Sequence, residues 1–228
     1  MSRLTLWASG FALHMPRPMC HAPYLMPHRS RFALCVFAFV ACCLPLAACS
    51  FPGSVKPTVK IGLVAPCEGL YRELGYEALY AVRLAVRQRT EVGGVGGSYL
   101  IELVALNDFI ESGEAVVQAR KMAVDAGVLG MLGGWSPETA HSAGAECDRL
   151  GMAFLAPGDD LLGESVLLLA DPEFIEDYKA QSGGVQPGQA AAWAYTAANR
   201  LLDAVDVASR AEGTPSRAGV QAALKTDY

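Results

Sequence analysis

The residues best placed to do chemistry form one short run, Trp135-Ser136-Pro137-Glu138, with Thr139 just beyond. Serine, proline and acid in that order mark a helix start: cap, N1 proline and early carboxylate. The first-turn N–H groups and the dipole of such a start favour an anion. Ser136 either caps its own helix or helps to hold that anion, and both roles use the same oxygen. Thr139, one turn further in, reads as a helix residue. Trp135 either packs on a ligand side chain or covers the edge of a sheet.

The remaining reactive residues do not assemble into catalytic machinery. There is no Ser-His-Asp set and no pair of carboxylates at working spacing, and His141 is the only histidine beyond residue 28. With two cysteines and one histidine, Cys67, Cys147 and His141 lack metal-ligand spacing. Gly93, Gly94, Gly96 and Gly97 follow a helix instead of preceding one, and no Gly-Lys-Ser/Thr accompanies them, so they make a poor phosphate loop. Asp108 reads as a turn cap and, secondarily, as a polar contact. The expectation is a protein that is not an enzyme and carries no cofactor or metal.

These residues hang on alternating strands and helices. Residues 59–65 are a compact apolar run, as in a strand buried on both faces of a parallel sheet. Residues 71–89 place Leu74, Ala78, Ala81, Val82 and Ala85 at helical spacing, backed by charge. Residues 99–106 return as a second strand, completing a right-handed βαβ unit. The next helix spans 112–126, with Ser112 as its N-cap and Gly127 just past its end. Val128–Leu132 is a third strand, 136–150 a third helix and 152–156 a fourth strand. Residues 165–170 read as a fifth strand, followed by helices over 171–181, 189–211 and 216–225. The pattern predicts an α/β fold, a three-layer, doubly wound parallel sheet. The loop after the first strand then opens at a carboxyl edge, where open α/β sheets bind ligands.

The first 48 residues contain no acid and four arginines, and an apolar segment over 32–48 ends in Leu46-Ala47-Ala48-Cys49. Basic patch, apolar core and small residues before a cut site read as a secretory signal peptide. The segment is at the short edge of the roughly 17–25 residues needed to span a bilayer, and Pro45 interrupts it. Residues 1–25 lack periodicity and fit an overextended frame, with initiation at Met26; a peptide upstream of Met26 in mass spectrometry refutes this. Residues 49–58 form a tether and 59–228 the folded lobe. Removing the signal takes away four bases and no acid, so the formal charge of −5 becomes more negative. Such a chain is a poor partner for nucleic acid or anionic lipid. Cys67 and Cys147 are read as unpaired thiols, one in the ligand-side loop and one on a buried helix stripe.

The order IGLVAP, a short loop, ELG near a helix start, GGVGG and a strand ending in Asn107-Asp108 resembles the type I periplasmic binding proteins. The similarity is to the branched-chain amino acid (leucine-binding-like) receptors of ABC transporters, and FIEDYKAQSGG with QAAAWAYTAANRLLDAV resembles their later portion. It covers residues 59–157 and 171–228, so that the stretch between them in the family, most of a second lobe, is missing. Leu46-Ala47-Ala48-Cys49 likewise resembles a lipobox, making Cys49 the lipid anchor. The resemblance implies an extracytoplasmic, lipid-anchored solute-binding protein serving a membrane permease, with a small amino-acid-like ligand. It implies ligand contacts at Ser136, Trp135, Thr139, Tyr71 and Gly158, and at Asp160 where the family has threonine. A carboxylate at 160 would repel a ligand carboxylate and invite an ammonium. The alternative expectation is a single-lobe interaction or structural lipoprotein, forming a homodimer through its exposed lobe face.

Overall fold

The computed structural model describes residues 56–157 and 162–226, all within the compact unit Val55–Tyr228. Residues 1–55, with the signal, Cys49 and most of the tether, lie outside the described residues, as do Gly158 and Asp160. No helix among the described residues is long and apolar enough to cross a membrane.

Four strands, β1 (Thr58–Val64), β2 (Leu100–Leu106), β3 (Val128–Leu132) and β4 (Ala153–Leu155), form one parallel sheet in the order β2-β1-β3-β4. Every residue of β3 is buried, which explains its unbroken apolar run. Helices α1 (Arg72–Glu91) and α6 (Gln189–Glu212) pack together on one core, joined by α5 (Pro172–Ser182) and α7 (Arg217–Thr226). Ile61 and Leu63 of β1 point into that core. A second, smaller core holds Val64, Met131, Ala119, Met122 and Cys147, from the sheet and from α2 (Ser112–Val124) and α3 (Pro137–Arg149). The fold is the expected doubly wound α/β layer.

Two local expectations are corrected. Residues 165–170 are not a fifth strand: α4 (Leu162–Leu168) covers most of them and packs on α6. Ser165 is buried, and Leu168 and Leu169 rest on the core, while Val166 and Leu167 face solvent. That is i, i+3, i+4 spacing, not alternation. Ser112 is also not the cap of α2. Glu111 occupies the cap position without a side-chain bond, because Phe109 and Ile110 take left-handed φ of 54° and 60° and turn the chain earlier.

Candidate functional site

The carboxyl ends of β1 and β3 lie side by side, and their outgoing helices leave toward opposite cores, α1 to one and α3 to the other. This is a topological switch point, where strand order opens a crevice between the two loops. The β1–α1 loop carries Tyr71 and the β3–α3 loop carries Trp135 and Ser136.

The β3–α3 loop is built tightly. Gly134 has φ +80°, and a Cβ there would come within 2.7 Å of Ala140 Cα, so only glycine turns the chain at this point. Trp135 then folds back over the sheet. Its Nε1 donates to Val64 O at 2.8 Å, and its ring meets Trp193 of α6 edge-on, with centroids 5.3 Å apart. Trp135 thus covers the end of β1 while leaving part of its ring exposed.

Ser136 is the N-cap of α3, and with Thr139 it forms a reciprocal capping box. Thr139 N–H donates to Ser136 Oγ at 3.2 Å, and Ser136 N–H donates to Thr139 Oγ1 at 3.0 Å. Thr139 is buried, and its own hydroxyl proton goes to Ser136 O at 3.0 Å. Thr139 therefore works inside its helix. Pro137 has no N–H, and the box uses those of Ser136 and Thr139, so this helix start keeps little donor capacity for an anion. The donors left are the first-turn Glu138 N–H, which the box does not use, and the proton of Ser136 Oγ. Ser136 Oγ lies 3.2 Å from Thr139 Oγ1, which already accepts from Ser136 N–H, and the Ser136 hydroxyl proton can turn outward.

On the β1–α1 loop, α1 approaches closely. A Cβ at Gly75 would stand 2.7 Å from Cys67 N, which explains the glycine in ELG. Tyr71 occupies the cap position of α1 without a side-chain hydrogen bond and is half exposed, beside the exposed Leu70. Cys67 is a free thiol whose pKa is raised by burial and then by Asp108. Cys147, also free, is pushed up to about 12 by burial.

The β2–α2 loop adds two residues that the sequence ranked low or missed. Asp108 is fully buried, and its Oδ1 accepts from Ile110 N–H at 3.1 Å while Oδ2 has no partner. Burial raises its carboxyl pKa, against the opposing pull of that backbone bond. Asn107 Oδ1 accepts from Phe109 N–H at 3.3 Å, and its Nδ2 is unpartnered. Trp193, buried behind Trp135, likewise leaves Nε1 without a partner. In the glycine loop before β2, Gly96 N–H donates to Asp206 Oδ1 at 2.7 Å and so ties the loop to α6.

The α/β lobe and its switch-point crevice define the fold class as that of type I periplasmic binding protein lobes, in a chain shorter than a full-length member. The branched-chain amino acid transporter substrate-binding protein LivJ from Streptococcus pneumoniae, solved with isoleucine, matches with a TM-score of 0.59 at 12% identity, over 73% of this chain and 87% of that one. A structure described as a branched-chain amino acid ABC transporter from Rhodospirillum rubrum matches with a TM-score of 0.61 at 17% identity, over 73% and 88%. A fatty acid ABC transporter substrate-binding protein from Thermomonospora curvata matches with a TM-score of 0.54 at 13% identity, over 77% and 82%. No family model and no curated protein matches the sequence.

Proposed function

We propose that the chain is an extracytoplasmic solute-binding lipoprotein of an ABC-type amino acid transporter, capturing a small amino-acid-like ligand without chemistry. The observation that carries this reading is the parallel pairing of β1 and β3, whose following loops carry Tyr71 on one side and Trp135 and Ser136 on the other; we assign the ligand to the space between them. The outward proton of Ser136 Oγ meets the ligand carboxylate, and the two aromatic rings flank its side chain. Gly158 and Asp160, which come after β4 in the sequence, are assigned the rest of the grip, with Asp160 answering the ammonium. Cys49 carries the lipid, and the acidic lobe works beside a membrane permease. The neighbours' roles in ABC transport support the reading.

A clamshell buries most of its ligand between two lobes; one lobe gives a weaker grip. Calorimetry with leucine, isoleucine and a polar amino acid tests the proposal. Saturable binding supports it, and no heat at millimolar ligand overturns it.

A second reading, a lobe that docks a partner or its own copy, is favoured by the apolar residues at the rim. Leu70 is 87% exposed, and Tyr71 and Phe109 are about half exposed on neighbouring loops. Sedimentation that shows a dimer, dispersed by Leu70→Asp, supports it; a monomer at all concentrations removes it.

A further inference from the structure

On the flank of α1, away from the crevice, residues 73, 76, 77 and 80 recur at i, i+3, i+4 and i+7, which places them on one helix face. On a packed helix that face is ordinarily aliphatic. Here it reads Glu, Tyr, Glu, Tyr. Opposite stand Tyr178 of α5 and the link between α5 and α6, and the two sides enclose a cleft of about 400 Å³. None of the switch-point residues lines it.

The cleft is walled by aromatic rings held at fixed angles. Tyr76 and Tyr80 lie with centroids 6.0 Å apart, and Tyr80 meets Tyr178 edge-on at 6.5 Å. The Tyr178 hydroxyl donates to Glu77 O at 3.2 Å, which fixes that ring. Glu77 is itself pinned, since its Oε1 accepts from Ala191 N–H at 3.0 Å. Glu73 stands at the mouth. Among the described residues it pairs with Arg72, at 3.1 Å, with both heads largely exposed, so that pair is weak and exchangeable. Two carboxylates against one guanidinium leave the lining net negative.

We propose that this cleft binds an organic cation of the quaternary-ammonium class. Ring faces attract a poorly hydrated cation through their quadrupoles, and a small methylated ammonium rests against the exposed Tyr76 ring and the half-buried Tyr80 ring, with the fully buried Tyr178 only backing them. Glu73 supplies the counter-charge at the mouth, in competition with Arg72. A primary ammonium has to shed tightly held water to use the rings, and an anion meets the carboxylates. The ligand class needs no carboxylate of its own, which separates this site from the switch-point crevice.

The test is a titration of choline chloride onto the full chain in nonionic detergent, at matched ionic strength, followed by chemical-shift changes. The control is its uncharged isostere, 3,3-dimethylbutan-1-ol. Choline is expected to saturate at or below about 10 mM, and the isostere to bind about tenfold more weakly. Tyr76 is 42% exposed, so its replacement leaves the core intact. Tyr76→Leu is expected to abolish choline binding, Tyr76→Phe to retain it, and Glu73→Gln to weaken it several-fold. Equal binding of choline and the isostere, absence of saturation, or unchanged affinity in Tyr76→Leu would overturn the proposal.

Discussion

The two ends of the sheet are built on different terms. At the amino end, the loop before β3 is tied down by charged side chains. Arg217 spreads its guanidinium over three carbonyls, Val128 O at 2.8 Å, Ala123 O at 3.1 Å and Asp125 O at 2.8 Å. Lys60 Nζ reaches Asp125 Oδ2 at 2.8 Å, and Asp125 Oδ1 accepts from Gly127 N–H at 2.8 Å. At the carboxyl end, Asp108 is buried and Asn107 half-buried, each with one buried polar atom unanswered, and two non-glycine residues in succession are left-handed. Strain and unpaired buried groups persist only where something else compensates for them, and they gather at binding edges. The contrast separates an end that holds the lobe together from an end left poised for contact.

Breaking the satisfied end should have the largest effect. Arg217→Ala leaves three carbonyls without their charged donor and detaches α7 from the loop it clamps. It is expected to cost about 2–3 kcal/mol in denaturant unfolding. Arg217→Lys should recover less than half of this, because an ammonium cannot span three carbonyls as the planar fork does. Full stability in Arg217→Ala would mean that the amino end does not carry the fold.

Next in size is the cap at the carboxyl end. Ser136→Ala should cost about 1 kcal/mol through the lost capping bond, and should also abolish any amino acid binding. Ser136→Asp keeps the cap and restores stability, yet repels a ligand carboxylate. Stability and binding therefore separate in this pair of variants. If both variants bind like the parent, the crevice is not the ligand site.

Much of this was legible because it is local. The continuous apolar run of β3 and the Ser-Pro-Glu start of α3 encode themselves within a few residues, and the structure places both where the sequence does. Residues 165–170 misled because Ser-Val-Leu-Leu-Leu-Ala is too short to separate a period of two from one of 3.6. Ser112 misled because the preceding turn uses a left-handed Ile110, a conformation β-branched residues seldom adopt. The clamp from Arg217 and the Trp135–Trp193 contact join residues far apart in the chain, and the burial of Asp108 depends on tertiary packing, so no spacing rule announces them.

The comparison also predicts opposite responses to pH at the two ends. Burial raises the Asp108 pKa above its ordinary 3.8, so the folded chain holds that proton more tightly than the unfolded chain. Its contribution to stability is present below pH 3.8 and is lost as pH rises through the folded value. Asp108→Asn removes an unpaired carboxylate and should raise the melting midpoint by a few degrees at neutral pH, with little effect in acid. Glu146, which joins Arg149 and Arg120 where α2 and α3 run toward the amino end, has the reverse sign. Its Oε2 accepts from Arg149 Nε at 3.1 Å and its Oε1 from Arg120 Nε at 2.9 Å, and its pKa falls from 4.5 to about 2. That contribution is present above pH 4.5 and is lost as pH falls toward 2. Glu146→Gln should therefore flatten the acid limb of the stability curve and leave neutral stability only slightly lower, since both arginines are largely solvent-exposed. Melting curves from pH 2 to pH 7 on the two variants read both signs, and like slopes would erase the distinction between the ends.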